Sequence, residues 1–123
     1  MIRARAIVAR AETAHEVLLA ERARARERVG ALEREFAGLA EAASLAGTDD
    51  EHDPEGATLA FERQHVAALA QAAREHLTDI DAALARLADG SYGACQTCGQ
   101  PIGAERLAAR PSARTCIACT RRR

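Results

Sequence analysis

The first proline of this chain is Pro54, and the long stretch ahead of it carries apolar or small residues at the spacing of a helical seam. Ile7, Ala11, Ala14 and Leu18 are followed by Arg22, Ala25, Val29, Leu32, Phe36, Leu39, Ala43 and Ala46. The steps are mostly alternating fours and threes, the period of a coiled coil and not of a strand. Consecutive fours around Leu18 and Arg22 predict a stutter. A second segment repeats the pattern with Val66, Ala70, Ala73, Leu77, Ile80, Leu84 and Leu87. Many seam positions are alanine, so two such helices can approach closely while burying little area per residue. Aromatic residues make up 2% of the chain and tryptophan is absent, which argues against a broad globular core and for long helices.

The boundaries fit two antiparallel helices. Gly47 can cap the first in the left-handed conformation. Asp53-Pro54-Glu55 is a strong helix start, with Asp as N-cap, Pro at the first helical position and Glu in the first turn. Asp89-Gly90 stops the second helix. The predicted helices span roughly residues 3–46 and 54–88, and the short link between them makes them antiparallel neighbours. That link is acidic: Asp49, Asp50, Glu51, Asp53 and Glu55 fall within "TDDEHDPEGAT". The expected fold class is all-α: a long antiparallel coiled-coil hairpin over residues 1–90, its acidic tip at 47–55. A small four-cysteine module follows over 91–123, ending in the basic tail Arg121, Arg122 and Arg123.

The only cysteines are Cys95, Cys98, Cys116 and Cys119, two C-x-x-C pairs separated by seventeen residues. This spacing is that of a zinc site. Each pair turns two sulfurs toward one ion, and two pairs complete a tetrahedron with no open position for water. One structural Zn²⁺ is therefore expected. A redox dithiol needs only one pair, and an iron–sulfur centre suits the spacing less well. Tyr92, Ile102, Leu107 and Ile117 are the candidates for a miniature core, with Pro111 ending a short helix. A module this small needs its metal to fold.

The formal charge is −1, so the chain is not broadly cationic and general nucleic-acid binding is disfavoured. No apolar run approaches the ~18 residues of a membrane span. The N-terminal "MIRARAIVAR" lacks the apolar core of a secretory signal. A cytoplasmic protein is expected, where cysteines serve metals or catalysis rather than disulfides. No Ser/His/Asp or Cys/His constellation and no phosphate-cradling glycine loop is visible, so no enzyme is expected.

The string "GSYGACQTCGQPIGAERLAARPSARTCIACT", placed after a helical hairpin with an acidic tip, resembles the DksA/TraR family of bacterial RNA polymerase regulators. The resemblance is strongest from Gly93 to Cys119. It implies a regulator that binds RNA polymerase, inserts its hairpin into the secondary channel and alters initiation-complex stability without sequence-specific DNA contact. The zinc end would grip the channel rim, and Asp49, Asp50, Glu51 and Asp53 would act near the catalytic centre. Set against the D-x-x-D-x-A tip of better-studied members, Asp53 matches the first aspartate, but Gly56 and Thr58 replace the second aspartate and the alanine. Among the basic residues with which some members bind guanosine tetraphosphate, Arg110 fits. Asp79 and Thr120 stand where lysines would be, so little synergy with that alarmone is expected.

Plainer readings compete. Asp53 is explained as an N-cap alone, and Asp49, Asp50 and Glu51 as a solvated loop. The run from Arg22 to Arg28 is explained by i,i+4 pairing with glutamates on solvated faces. The alternative functions are a transcript-cleavage-type factor whose tip carboxylates hold a second magnesium, and a zinc-stapled coiled-coil adaptor for nucleic acid or protein. A monomer is expected.

Overall fold

In the computed structural model, described over residues 2–45 and 54–122, the chain forms four helices: α1 (Ile2–Leu45), α2 (Pro54–Asp89), α3 (Ala104–Ala109) and α4 (Ile117–Arg121). No strand occurs among the described residues; an isolated antiparallel bridge joins Ala94 to Pro101. The fold is the expected helical hairpin with a C-terminal cysteine module. The predicted helix limits lie within a residue of those observed wherever the residues are described. Gly47, Asp49, Asp50, Glu51 and Asp53 lie outside the described residues.

The start and stop of α2 follow from local chemistry. Pro54 opens it with Glu55 in the first turn, and the Thr58 hydroxyl donates to the Pro54 carbonyl at 2.8 Å. Its end is closed by Gly90, whose φ of 82° lets the chain turn back in the left-handed region. Ser91 N–H then reaches the Arg86 carbonyl at 3.0 Å, the six-to-one bond of a Schellman cap. Asp89 accepts from both the backbone N–H and the hydroxyl of Ser91. These hydrogen bonds hold its carboxyl below the usual aspartate range.

The chain divides into two compact units. The first combines residues 1–23 with 77–123, and the second spans 24–76. In the second unit α1 and α2 pair through Leu32, Val66, Ala70 and Ala73, with Val29, Leu39 and Leu69 packed against them. Glu33 and Arg74 bridge the helices at 3.3 Å. In the first unit Leu18, Ile80 and Ala83 are fully buried. There Arg22, placed on the seam by its spacing, lies 2.8 Å from Asp81. It is an ion pair whose Nε–H is not aligned for a hydrogen bond. Its partner is thus on the facing helix and not a neighbouring glutamate.

The seam is read correctly at Leu18, Ala25, Leu32, Val66, Ala70, Ala73 and Ile80, all buried. Phe36 is an exception, at the margin of exposure, and Phe61 is 75% exposed. Leu32 and Leu39, on either side of Phe36, are α1 residues that pack with Val66, Ala70 and Ala73. Deleting the fully buried Ile80 side chain (Ile80→Ala) should cost about 2–5 kcal/mol, whereas Phe61→Ala should stay within about 0.5 kcal/mol. Thermal unfolding of the two zinc-loaded variants checks the contrast.

Candidate metal centre

The backbone of the module turns twice to bring the cysteines together. In the first knuckle the Cys95 N–H donates to the Gln100 carbonyl at 2.8 Å, and the Gly99 N–H returns to the Cys95 carbonyl at 2.9 Å. Gly99 makes this possible with a φ of 75°, where a side chain would be strained. In the second knuckle Cys116 precedes α4, and the Thr120 N–H donates to its carbonyl at 3.0 Å. The two knuckles are tied where the Gln96 N–H meets the Arg114 carbonyl at 2.9 Å. Cys95, Ile102 and Ala113 form the core of the module, with Leu107 packed against it. Tyr92 is half-buried and donates its hydroxyl to the Pro111 carbonyl at 2.7 Å; burial pushes its pKa up. Ile117 is 47% exposed and does not belong to this core, because it opens α4 on the outer side of the second knuckle.

The four Sγ atoms all lie within 4.8 Å of one another. A tetrahedron with metal–sulfur bonds of about 2.3 Å has edges of about 3.8 Å, and Cys98 Sγ and Cys116 Sγ are 3.8 Å apart. The donor set and its size therefore fit zinc. Electrostatics points the same way. Backbone N–H groups of Cys98, then of Cys116, stabilise the Cys95 thiolate and lower its pKa to about 6. Cys119 is pushed up to about 12, chiefly by its hydrogen bond with Cys116 and then by burial. Four sulfurs this close cannot all ionise without a cation between them, and a dication removes that conflict.

The remaining residues of interest are spread around this centre. Arg110 is exposed at the C-terminus of α3, its N–H bonded to the Arg106 carbonyl at 2.7 Å. Asp79 is not a bare carboxylate, since Arg114 Nη2 donates to it at 2.8 Å. The Thr120 hydroxyl meets Arg106 Nη2 at 3.1 Å and Thr115 Oγ1 at 2.7 Å. Arg106 also donates to the Thr115 carbonyl at 2.8 Å, bracing the second knuckle. Sequence reading gave no role to Arg86, Arg106 or Arg114. All three make contacts between segments distant in the chain, for which periodicity carries no signal.

Residues 90–123 match the prokaryotic dksA/traR C4-type zinc finger. The structure of transcription factor DksA2 from Pseudomonas aeruginosa aligns with a TM-score of 0.75 at 32% identity, over 93% of this chain and 82% of that one. The chain belongs to the DksA/TraR family. The RNA polymerase-binding transcription factor DksA of Caulobacter vibrioides is 55% identical over 40 residues, 32% of this chain and 28% of that protein. The uncharacterized protein YteA of Bacillus subtilis is 42% identical over 66 residues, 54% of this chain and 28% of its own length. The matched stretch thus spans 28% of the length of each of these two curated relatives. The family is a zinc-finger family, and the cofactor is one zinc ion. No helix among the described residues is long and apolar enough to cross a membrane.

Removing the metal should unfold the module and spare the pairing of α1 with α2 in residues 24–76. Chelation followed by residue-resolved amide exchange checks this. Acid should release the metal too. Protons compete with zinc for the four thiolates, so affinity for the metal falls as pH falls. Zinc content measured along an acid titration should fall accordingly.

Proposed function

We propose that this protein is a non-enzymatic transcription regulator that binds RNA polymerase directly, inserts its hairpin into the secondary channel and alters the stability of initiation complexes. The observation that carries the reading is the alignment with DksA2 over 93% of the chain, which covers hairpin and cysteine module together. A relative matching the module is an RNA polymerase-binding transcription factor, and its partner class is the one assigned here. Two helices that pair with each other need no third helix to cover their seam, which suits entry into a pore.

In this reading Cys95, Cys98, Cys116 and Cys119 hold a zinc that chemistry never touches. Four protein donors leave it no free position, so its role is to fold the end that grips the polymerase rim, where Arg110 is the exposed cation. Asp49, Asp50, Glu51 and Asp53 carry the effect. Carboxylates delivered near a catalytic magnesium and nucleotide phosphates perturb both through charge and hydrogen bonding. The protein works as a monomer in the cytoplasm and makes no sequence-specific DNA contact. Guanosine tetraphosphate adds little, because at position 79 a phosphate-rich ligand meets a carboxylate already paired with Arg114.

The test is open-complex lifetime at a ribosomal-type promoter, together with binding to the host's core polymerase. It uses wild type and a variant carrying Asp49→Asn, Asp50→Asn, Glu51→Gln and Asp53→Asn. Wild type should bind and shorten the lifetime, and the variant should bind without that effect. Failure of wild type to bind rejects the reading and favours a zinc-stapled adaptor. Metal-dependent transcript cleavage in a stalled complex would favour a catalytic tip instead.

A further inference from the structure

Arg86 is the one charged side chain buried among the described residues, at 7% exposure. It lies off the seam formed by Leu84 and Leu87, on the face it shares with the fully buried Ala83. What covers its guanidinium is the segment that enters the second metal knuckle: Arg86 Nη2 donates to the buried Ala113 carbonyl at 3.4 Å. The same segment is held by the Tyr92 hydroxyl on the Pro111 carbonyl and, at its outer edge, by Arg114 on Asp79. Nη1 of Arg86 is buried with no hydrogen-bond partner. Burial, and after it the charge of Arg114, lowers the pKa of Arg86. The Arg86 carbonyl meanwhile accepts from both Ser91 and Tyr92. One residue therefore closes α2 through its main chain and receives the metal module through its side chain.

Burying a guanidinium with incomplete pairing is a poor way to gain stability, since an apolar side chain of similar volume does as well or better. A directional donor does what an apolar residue cannot, which is to fix where a facing carbonyl sits. We propose that Arg86 is a positioning residue that sets the orientation of the zinc module on the base of α2. This rests on the proposed function to the extent that an oriented module is what a rim-binding regulator needs. A module free to reorient must be ordered at binding, which weakens association.

The experiment uses the full zinc-loaded chain with Arg86→Met, which keeps length and apolar volume, and Arg86→Lys, which keeps a charged donor. Zinc content and melting temperature are recorded first. Residual dipolar couplings then report whether amides of residues 77–89 and 95–119 share one alignment tensor. Arg86→Met should retain zinc and its melting temperature yet need two tensors, and Arg86→Lys should restore one. Polymerase affinity should fall about tenfold for Arg86→Met, the cost of ordering the module, and recover in Arg86→Lys. One shared tensor in Arg86→Met overturns the proposal. So does loss of zinc by both variants, which makes Arg86 a folding residue. The solution arm decides even if wild type fails to bind polymerase, an outcome that would reject the proposed function alone.

Discussion

Four sulfur atoms within 4.8 Å of one another are the constraint on which the rest of this protein depends. Without a cation, four thiolates at this separation would repel one another. With one, two knuckles become a closed unit whose apolar core is otherwise only Cys95, Ile102 and Ala113, with Leu107 beside them. A core of that size cannot offset the entropy of ordering the segment around it. The metal therefore acts in place of the hydrophobic interior that a chain with 2% aromatics does not have.

The hairpin meets the same shortage differently. Its buried seam combines the larger Leu18, Leu32, Val66 and Ile80 with the alanines Ala25, Ala70 and Ala73, so part of the pairing is made by small side chains that let the helices approach closely. Bridges such as Arg22–Asp81 and Glu33–Arg74 are partly exposed, where each is worth at most about 1 kcal/mol; they set register more than they add stability. Among the described residues, the one buried charge lies at the junction of α2 with the metal module. There Arg86, Tyr92 and Arg114 together fasten residues 111–114 to the helix end.

Local rules made the architecture legible. Pro54 and Asp89-Gly90 punctuate the helices, the four-three steps locate the seam, and the cysteine spacing names the metal. Those signals live within a few residues of one another. What stayed hidden depends on segments brought together by the fold. Arg86 meets Ala113 across 27 positions and Arg114 meets Asp79 across 35, so a charged residue that reads as solvated becomes buried, and a carboxylate that reads as unpaired becomes an ion pair. Ile117 fails for the complementary reason, because hydrophobicity alone does not say which side of a five-residue helix faces inward. Apart from Asp53, read as an N-cap, the acidic tip was readable only as composition. Read alone, its carboxylates need be no more than a solvated loop, and the role proposed for them rests on the family resemblance.

Site-specific photo-crosslinking to the host's RNA polymerase tests the central claim most directly, with the probe at position 51 in the tip and, separately, at the exposed position 117 beside the metal. The account predicts that position 51 captures elements of the catalytic centre inside the secondary channel and position 117 captures the channel rim. Adducts from position 51 confined to the outer surface of the polymerase, or none from either position, would contradict it.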